Sequence, residues 1–193
     1  MLTELTVKGL LAETAGDAPV PGGGSISALN GAIAAALAEM VANLTIGKKK
    51  YADVQDEMAE IAKSAAALQK ELVLDVDRDS EAYDGVSQAF KLPKETDEEK
   101  AIRSAAIQEN TKKAAMEVAR RASALLPTIE AVVARGNQNA VTDGCVAMMC
   151  ARVAVVGALF NVRINLTSIK DEEFVARLRE EADRLEADIL ARE

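Results

Sequence analysis

Histidine is absent from the sequence of 193 residues, and tryptophan is absent as well. Without histidine the chain cannot build a serine–histidine or cysteine–histidine catalytic pair, nor the zinc sites that depend on imidazole. Any proton transfer must therefore use Asp, Glu, Lys, Tyr or water. No metal site is predicted, because the alternating acids Asp75, Asp77 and Asp79 are not followed by the glycine and the glutamate of a calcium loop.

Cysteine is scarce, and no long apolar run is free of charge. Cys145 and Cys150 lie five residues apart in a helical pattern, which separates their side chains, and two free thiols fit a reducing compartment. The chain starts without a visible signal peptide, and Glu39 and Arg152 interrupt the two most apolar stretches. The net charge of -8 disfavours nucleic acid and anionic lipid as partners. The sequence therefore predicts a cytoplasmic protein without a membrane span.

The apolar content is high although aromatic residues are few. Apolar residues make up 49% of the chain and aromatic residues 3%, and much of the apolar content is alanine, which favours closely packed helices over a sheet. Apolar residues recur at spacings of three and four, and no alternating strand pattern is found. The sequence predicts a single domain over residues 1–193, an all-α bundle of six or seven helices, some of them long, without a β-sheet.

The predicted helices differ in how clearly they mark an inward face. The helix from Asp53 to about Ala89 has an inward stripe of Met58, Ile61, Ala65, Leu68, Leu72 and Val76. The helix from Asn139 or Thr142 to about Leu166 is apolar nearly all round, which is typical of burial in a bundle or a subunit interface. Its predicted inward stripe is Val146, Met149, Val153, Val156 and Phe160. The other predicted helices are Leu2–Glu13 with Thr3 as cap, Glu98 to about Arg135 divided at Pro127, and Asp171–Ala191 with Phe174, Leu178, Leu185 and Ile189 inward.

The stretch Pro21–Tyr51 is the part around which the chain is organised. The three residues Gly22–Gly24 precede Ser25, which is predicted to cap a central helix that ends near Gly47. Free backbone N–H groups at a helix N-terminus suit a carboxylate or a phosphate, and Lys48–Lys50 follow the other end. The turn is not a phosphate-binding P-loop, because no Lys-Ser or Lys-Thr follows at the required spacing. Ile26, Leu29, Ile33, Leu37, Met40 and Leu44 recur along the central helix at spacings of three and four, and Ala28, Ala32, Ala35 and Ala36 would allow close approach of another helix.

Several polar residues permit either a structural or a binding role. Asn161 and Asn165 lie four apart on an apolar helix, so that they either bridge helices or hydrogen-bond a polar heterocycle. Asn139 and Asp143 lie at a helix start, where such residues are ordinary caps. Asp79 shares a helix face with other acids, which is typical of a solvated surface. Physical reasoning alone leaves these alternatives open.

Three separated segments resemble one known family. They are Pro21–Ser25 with Asn43–Tyr51, Asp77–Tyr83 through Leu92–Lys94, and Gly136–Asp143 ending in Asn161–Asn165. In this order, roughly from Leu5 to Leu166, the chain resembles the formiminotetrahydrofolate cyclodeaminase and methenyltetrahydrofolate cyclohydrolase family. The resemblance implies a homodimer with its cleft near the subunit interface. It implies no covalently bound cofactor, and a tetrahydrofolate derivative as the substrate.

The resemblance implies chemistry at the one-carbon unit held by N5 and N10 of tetrahydrofolate. Cyclohydrolases open the methenyl bridge with water to give 10-formyltetrahydrofolate, whereas cyclodeaminases close 5-formiminotetrahydrofolate to the methenyl compound and release ammonia. Cyclohydrolase activity is favoured here because no formiminotransferase domain accompanies the sequence. The alternatives are a cyclodeaminase that works with a separate formiminotransferase, and a folate-binding or scaffolding bundle without activity.

The chemistry assigns roles to the matched residues as hypotheses. A base and an acid are needed for the tetrahedral intermediate, a carboxylate would stabilise the cationic bridge, and lysines or helix amides would hold the anionic glutamate tail. The aromatic residues Tyr83 and Phe90 either pack on the pterin ring or belong to the core. The catalytic candidates are Asp143 or Asp79 as base with Lys50 or Lys48 as its partner. The binding candidates are Gly22, Gly23, Gly24, Ser25, Asn43, Lys49, Asn139, Asn161 and Asn165.

Overall fold

The computed structural model describes residues 1–113 and 116–192. Within these ranges three short 3-10 helices (Leu2–Glu4, Lys49–Val54 and Gln138–Ala140) accompany the α-helices, and no strand is present. The predicted all-α bundle without a sheet is therefore confirmed. The α-helices are α1 (Val7–Thr14), α2 (Gly23–Thr45), α3 (Gln55–Phe90), α4 (Asp97–Lys113), α5 (Glu117–Ala124), α6 (Leu126–Arg135), α7 (Val141–Leu166) and α8 (Glu172–Leu190).

Helix α2 is the centre of the bundle, and small residues let its neighbours approach closely. It packs most extensively against α3 and α7. A Cβ atom on Gly31 would lie 3.0 Å from Leu72 of α3 and 3.5 Å from Ala154 of α7. A Cβ atom on Gly157 would lie 2.4 Å from the Ser27 hydroxyl. The predicted central position of this helix is therefore confirmed, and both neighbours run antiparallel to it.

The predicted inward stripe of α7 is wrong for most of its residues, and the larger apolar residues that recur along α2 do not form its buried face. Alanine is the commonest buried residue of both helices, because the close spacing between the three helices favours small side chains at their contacts. Val156 and Leu37 pack partly against the core. The larger residues that instead lie exposed are Ile33, Met40 and Leu44 on α2, and Val146, Met149, Val153 and Phe160 on α7.

The predictions for α3 and α8 are confirmed. Every residue of the predicted α3 stripe is buried except Leu68, which is partly buried and packs against the core. On α8, Leu178 and Ile189 are buried, and Phe174 and Leu185 pack against the core from partly buried positions. Asp171 caps α8 by accepting a hydrogen bond from the Phe174 backbone N–H at 3.0 Å. The larger apolar side chains of α3 and α8 pack into the core. The spacing of these residues along the sequence therefore identifies the inward face of each helix.

The predicted helix from Glu98 to about Arg135 is divided. Helix α4 ends at Lys113, and Met116 precedes α5 in a left-handed conformation with φ of 78°. Residues 114 and 115 lie outside the described ranges. Helices α5 and α6 then meet at Leu125, and Pro127 lies in the first turn of α6, which confirms the predicted break at this proline.

The N-terminal segment is held differently from the prediction. Thr3 does not cap a helix, since its hydroxyl donates to Asp77 Oδ2 at 2.6 Å, while the Leu2 backbone N–H donates to Oδ1 at 2.5 Å. Thr6 caps α1 instead, and its hydroxyl oxygen accepts from the Gly9 N–H at 3.1 Å. Asp77 is only 7% exposed, so that a buried carboxylate of α3 fixes the start of the chain.

In the part of the chain that the structure describes, two helices could cross a membrane by length and composition alone: α2 and the segment Gln138–Leu166. In the structure their small-residue faces pack against each other within the bundle. The core helices of globular proteins have the same composition, so that this property is weak evidence for a membrane span. Cys145 and Cys150 are both free thiols, in agreement with the prediction that they form no disulfide.

Candidate functional site

A cavity of about 350 Å³ lies where the start of α2 meets the second half of α3 and the last turns of α7. Its walls contain six of the polar or glycine positions that the sequence singles out. These are Gly22, Gly23 and Gly24 at the turn, Asp79 on α3, and the amides of α7, which are Asn161 and Asn165. The structure therefore brings together residues from three separated segments of the chain.

The carboxylate of Asp79 lies directly on the N-terminus of α2. Ser25 donates to it from its hydroxyl, at 2.9 Å from Oδ2, and from its backbone N–H. A Cβ atom on Gly24 would lie 2.0 Å from Asp79 Oδ1, so that only glycine admits the carboxylate at this distance. The anion at this helix N-terminus is thus the protein's own Asp79, at the position where the sequence suggests a bound anion.

The predicted helix cap at Ser25 is wrong. Helix α2 begins at Gly23 with Gly22 as its N-cap, which has no side chain to accept a hydrogen bond. Ser25 lies in the first turn, is fully buried, and holds Asp79 and contacts the Ser80 hydroxyl at 3.3 Å. Asp79 supplies from α3 the acceptor that a capping side chain would otherwise provide. Because of this tertiary contact, Ser25 hydrogen-bonds the Asp79 carboxylate instead of capping α2.

Burial raises the pKa of the Asp79 carboxyl above the ordinary aspartate value. The hydrogen bonds from the side chain and the backbone of Ser25 oppose this shift in pKa, but burial has the larger effect. A carboxyl group with a raised pKa on a cavity wall holds a proton more readily than an ordinary aspartate, so that it can both take up and return one. Asp79 therefore has the position and the electrostatics of a general acid–base group.

The wall formed by α7 presents two amides. Asn161 donates from Nδ2 to the Gly157 carbonyl at 3.1 Å, and this amide group stands beside Gly23. Among residues 1–113 and 116–192, no group hydrogen-bonds Asn161 Oδ1 or the side chain of Asn165. Both amides line the cavity and are half-buried, so that they retain hydrogen-bonding capacity for a polar ligand. Neither amide bridges two helices.

Two aromatic side chains stand at the edge of the cavity. Tyr83 is 43% exposed and Phe90 is 54% exposed, and both line the cavity from α3. They lie outside the buried core, so that the alternative in which these two rings are core residues is excluded. Exposed aromatic rings beside unpaired amides are suited to hold a flat heterocycle by stacking.

The remaining predicted residues lie at the other end of α2. Asn43, Asn139 and Lys48–Lys50 are exposed there, and Asp143 lies half-buried in the first turn of α7. At a rise of 1.5 Å per residue, the length of α2 separates this end from Gly23 by about 33 Å. The loop before α7 is tied to this end, since the Asn137 backbone N–H donates to Thr45 Oγ1 at 2.8 Å. Within one protomer the structure does not bring Asp143 or the lysines to Asp79.

A buried ion pair beside Asp79 was not found from the sequence. Asp75 is only 3% exposed and accepts from Arg121 Nη1 of α5 at 2.7 Å and 2.9 Å, and from Arg78 Nη1 at 3.0 Å. These groups line a second cavity of about 290 Å³, which also reaches Asp79. The expectation of a solvated acidic face is thus wrong for Asp75. Its spacing of three residues from the inward Leu72 is the signal that indicates burial.

Comparison with known proteins covers almost the whole chain. A family model described as formiminotransferase-cyclodeaminase matches residues 6–184. The methenyltetrahydrofolate cyclohydrolase of Methylorubrum extorquens is 38% identical over 186 residues, which cover 95% of this chain and 89% of that protein. The formimidoyltransferase-cyclodeaminase of Mus musculus is 33% identical over 176 residues, which cover 90% of this chain but 32% of the mouse protein. The chain therefore spans about a third of that longer relative.

The fold is also shared with a solved structure. The crystal structure of formiminotetrahydrofolate cyclodeaminase from Thermotoga maritima matches with a TM-score of 0.88 at 33% identity, over 100% of this chain and 93% of the other. The helical bundle of the described residues thus has the same fold as that protein. On the family match over residues 6–184 and on this structural agreement, the chain belongs to the formiminotransferase-cyclodeaminase family.

Proposed function

We propose that this protein is a methenyltetrahydrofolate cyclohydrolase, which opens the methenyl bridge between N5 and N10 with water. The observation that carries the proposal is the cavity in which Asp79, with a raised pKa, faces the unpaired amides of α7. Similarity over 95% of the chain to a cyclohydrolase of nearly the same length supports the same activity. Acid–base chemistry in this cavity requires no histidine, in keeping with the composition.

Asp79 is the proton-transfer group of the proposed reaction. Its carboxylate takes a proton from water as the oxygen bonds to the methenyl carbon, and the positive charge on the bridge is neutralised. The C–N5 bond then breaks, N5 receives the proton that Asp79 held, and the hydroxyl proton leaves to solvent as the formyl C=O forms. The two hydrogen bonds from Ser25 hold the carboxylate in place through these steps.

The cavity walls supply the recognition of the pterin. Asn161 Oδ1 and the Asn165 amide offer donors and acceptors for the polar edge of the ring. Tyr83 and Phe90 line the cavity from α3 and offer aromatic faces to the flat rings of the substrate. Gly22–Gly24 leave the turn without side chains, so that the substrate can approach the Asp79 carboxylate.

Cyclodeaminase activity is the second candidate, and the similarity to the Thermotoga maritima structure favours it. In that reaction N10 attacks the formimino carbon, Asp79 takes the proton from N10, and the departing nitrogen leaves as ammonia after protonation. The tetrahedral carbon is held by N5 and N10 in both reactions, so that one cavity serves either. A separate formiminotransferase would supply the formimino substrate.

A homodimer across the exposed faces of α2 and α7 is part of the proposal. Phe160 is 62% exposed and Met149 is 69% exposed, and with Val153 they line one apolar surface of α7, while Ile33 and Met40 are exposed on the neighbouring helix α2. Apolar patches of this kind on a folded protein mark interaction surfaces. A second copy is the favoured occupant because Asp143 and Lys48–Lys50 can reach the cavity of Asp79 only from another protomer.

The test follows the near-ultraviolet absorbance of 5,10-methenyltetrahydrofolate mixed with the purified protein, against a blank without protein. Loss of absorbance faster than in the blank is the expected result. Without acceleration, the cyclohydrolase proposal is wrong, and the same absorbance is then followed as it appears from 5-formiminotetrahydrofolate. Binding of either folate without turnover would identify a non-catalytic bundle.

A further inference from the structure

The sequence predicts that lysines or helix amides hold the anionic tail of the substrate. In one protomer the hydroxyl and the backbone N–H of Ser25 at the start of α2 already hold Asp79, and Lys48–Lys50 lie at the opposite end of the helix. Other cations must therefore be sought at the mouth of the cavity, where Phe90 of α3 and Ile107 of α4 form one side.

Arg103 is fixed at this mouth. Its Nε donates to the Phe90 carbonyl at 3.2 Å, and its guanidinium carbon lies 5.2 Å from the centroid of the Phe90 ring. On α4 it precedes the cavity residue Ile107 by four positions, so that the two share one face of the helix. Within residues 1–113 and 116–192 nothing hydrogen-bonds the Nη groups of Arg103, so that they can meet an anion that leaves the cavity past Phe90.

Lys170 reaches the same region from the connection between α7 and α8. Gln108 of α4 clamps this connection, because its Nε2 donates to the Ser168 carbonyl at 2.7 Å and its Oε1 accepts from the Lys170 backbone N–H at 2.8 Å. Ser168 itself lines the cavity, and Lys170 Nζ lies 3.5 Å from the Ser104 hydroxyl. The ammonium group therefore lies beside the residue that follows Arg103.

Neither cation is neutralised. Among the residues that the structure describes, no carboxylate lies within salt-bridge distance of Arg103 or Lys170, whereas Lys100 on the same helix pairs with Asp97 at 2.9 Å. Glu99 stands one turn from Arg103, but its Oε2 accepts from the backbone N–H groups of Glu95 and Thr96 at 2.9 Å each. An unpaired arginine and lysine at one cavity mouth form a site for carboxylates.

We propose that Arg103 and Lys170 bind the glutamate carboxylates of the folate substrate. The inference rests on the proposed function and extends it to the recognition of the tail. The pterin occupies the interior beside the amides of α7, the ring that follows it lies against Phe90, and the tail reaches the two cations outside. Arg103 offers two parallel N–H groups to one carboxylate, and Lys170 offers a point charge.

The experiment compares two substrates on three variants. The substrates are 5,10-methenyltetrahydrofolate and an analogue that ends at the aminobenzoyl ring and carries no glutamate. Arg103→Ala and Lys170→Ala should each raise KM for the folate about fivefold to tenfold, with kcat nearly unchanged, because the tail takes no part in the chemistry. Neither variant should change KM for the analogue. Lys100→Ala, whose cation is already paired with Asp97, should leave both substrates unchanged.

The outcomes separate this inference from the proposed function. Suppose that the wild type turns over its substrate. If KM for the folate then stays unchanged in Arg103→Ala and Lys170→Ala, or rises equally for both substrates, the proposal that these cations recognise the tail is wrong. If the wild type turns over neither substrate, the proposed function itself fails. Raising the salt concentration provides a second readout, since KM for the folate should rise while KM for the analogue stays constant.

Discussion

The carboxylate of Asp79 lies so close to Gly24 that a Cβ atom on this glycine would stand 2.0 Å from Oδ1. The two residues belong to different helices, α3 and α2, and their contact places an acid at the positive end of a helix dipole. Ser25 completes the contact with its hydroxyl and its backbone N–H. A glycine turn that resembles an anion-binding loop thus holds a side chain of the same protein, which faces the cavity.

Gly24→Ala should displace Asp79, because a methyl group and the carboxylate cannot occupy the same space. We expect a loss of about 1–3 kcal/mol in the free energy of unfolding, measured by urea denaturation, together with a fall in kcat. Gly23→Ala is the matched control for stability, since its Cβ would meet Asn161 Nδ2 at an ordinary 3.4 Å. If Gly24→Ala and Gly23→Ala have the same free energy of unfolding, the tight contact between Gly24 and Asp79 is contradicted.

Asp79→Asn should lower kcat for methenyltetrahydrofolate by about 10²–10⁴-fold, because an amide cannot carry the proton. The pH dependence of stability supplies a second test. The raised pKa means that the folded protein keeps a proton on Asp79 at pH values where the unfolded chain has lost it. The contribution of this group to stability is therefore present below the ordinary aspartate pKa and is lost as pH rises through the raised value.

The measurement for this second test is urea denaturation of wild type and Asp79→Asn at several pH values. The unfolding free energy of the wild type, minus that of the variant, should fall as pH rises from about 4 toward neutrality. The other titrating groups are common to both proteins and cancel in the difference. A difference that rises with pH would show that the pKa of Asp79 is lowered in the folded protein.

Ser25→Ala should shift the acidic limb of the pH–rate profile to higher pH. The hydroxyl of Ser25 stabilises the carboxylate, so that its removal raises the pKa of Asp79 further. Ser27→Ala is the matched control, because the Ser27 hydroxyl donates to the Gly23 carbonyl at 2.6 Å and does not bond Asp79. If the acidic limb of the pH–rate profile moves equally in Ser25→Ala and Ser27→Ala, the shift comes from a general disturbance of α2 and not from the lost hydrogen bond to Asp79.

Arg121→Ala should destabilise the fold by about 3 kcal/mol, because it leaves the buried Asp75 without its main partner. Arg120→Ala is the matched control on the same helix. Arg120 pairs with Glu181 at 2.7 Å in a more exposed setting, where such a pair contributes about 1 kcal/mol or less. Chemical denaturation measures both variants, and equal losses would show that burial of Asp75 does not determine the cost.

Phe160→Asp should convert the proposed dimer into monomers, since it places a charge in the apolar surface of α7. Sedimentation velocity measures the change in mass. Val7→Asp is the control, because Val7 is also an exposed apolar residue but belongs to α1 and not to α2 or α7. If the wild type sediments as a monomer, the dimer is wrong, and Asp143 and Lys48–Lys50 have no route to the cavity of Asp79.

The helical class and the inward faces of α3 and α8 follow from local spacing. A stripe that includes Met58, Ile61 and Leu72 repeats at the helical period, and larger side chains of this kind fill the space between helices wherever it is wide enough. The polar candidates Asp79, Asn161 and Asn165 also stand out locally, as polar groups on helices with apolar neighbours. The sequence by itself determined these features because each depends on neighbours within a few turns.

The tertiary structure decided the features that depend on distance between helices. Gly31 and Gly157 bring α2 so close to α3 and α7 that alanines fill the contact and Met149 and Phe160 are turned outward, which hydrophobicity alone does not indicate. The same packing brings Asp79 to Gly24 and leaves Asp143 at the other end of the bundle. Periodicity specifies which residues share a face, whereas only the packing of all the helices decides which face is buried and which polar groups meet.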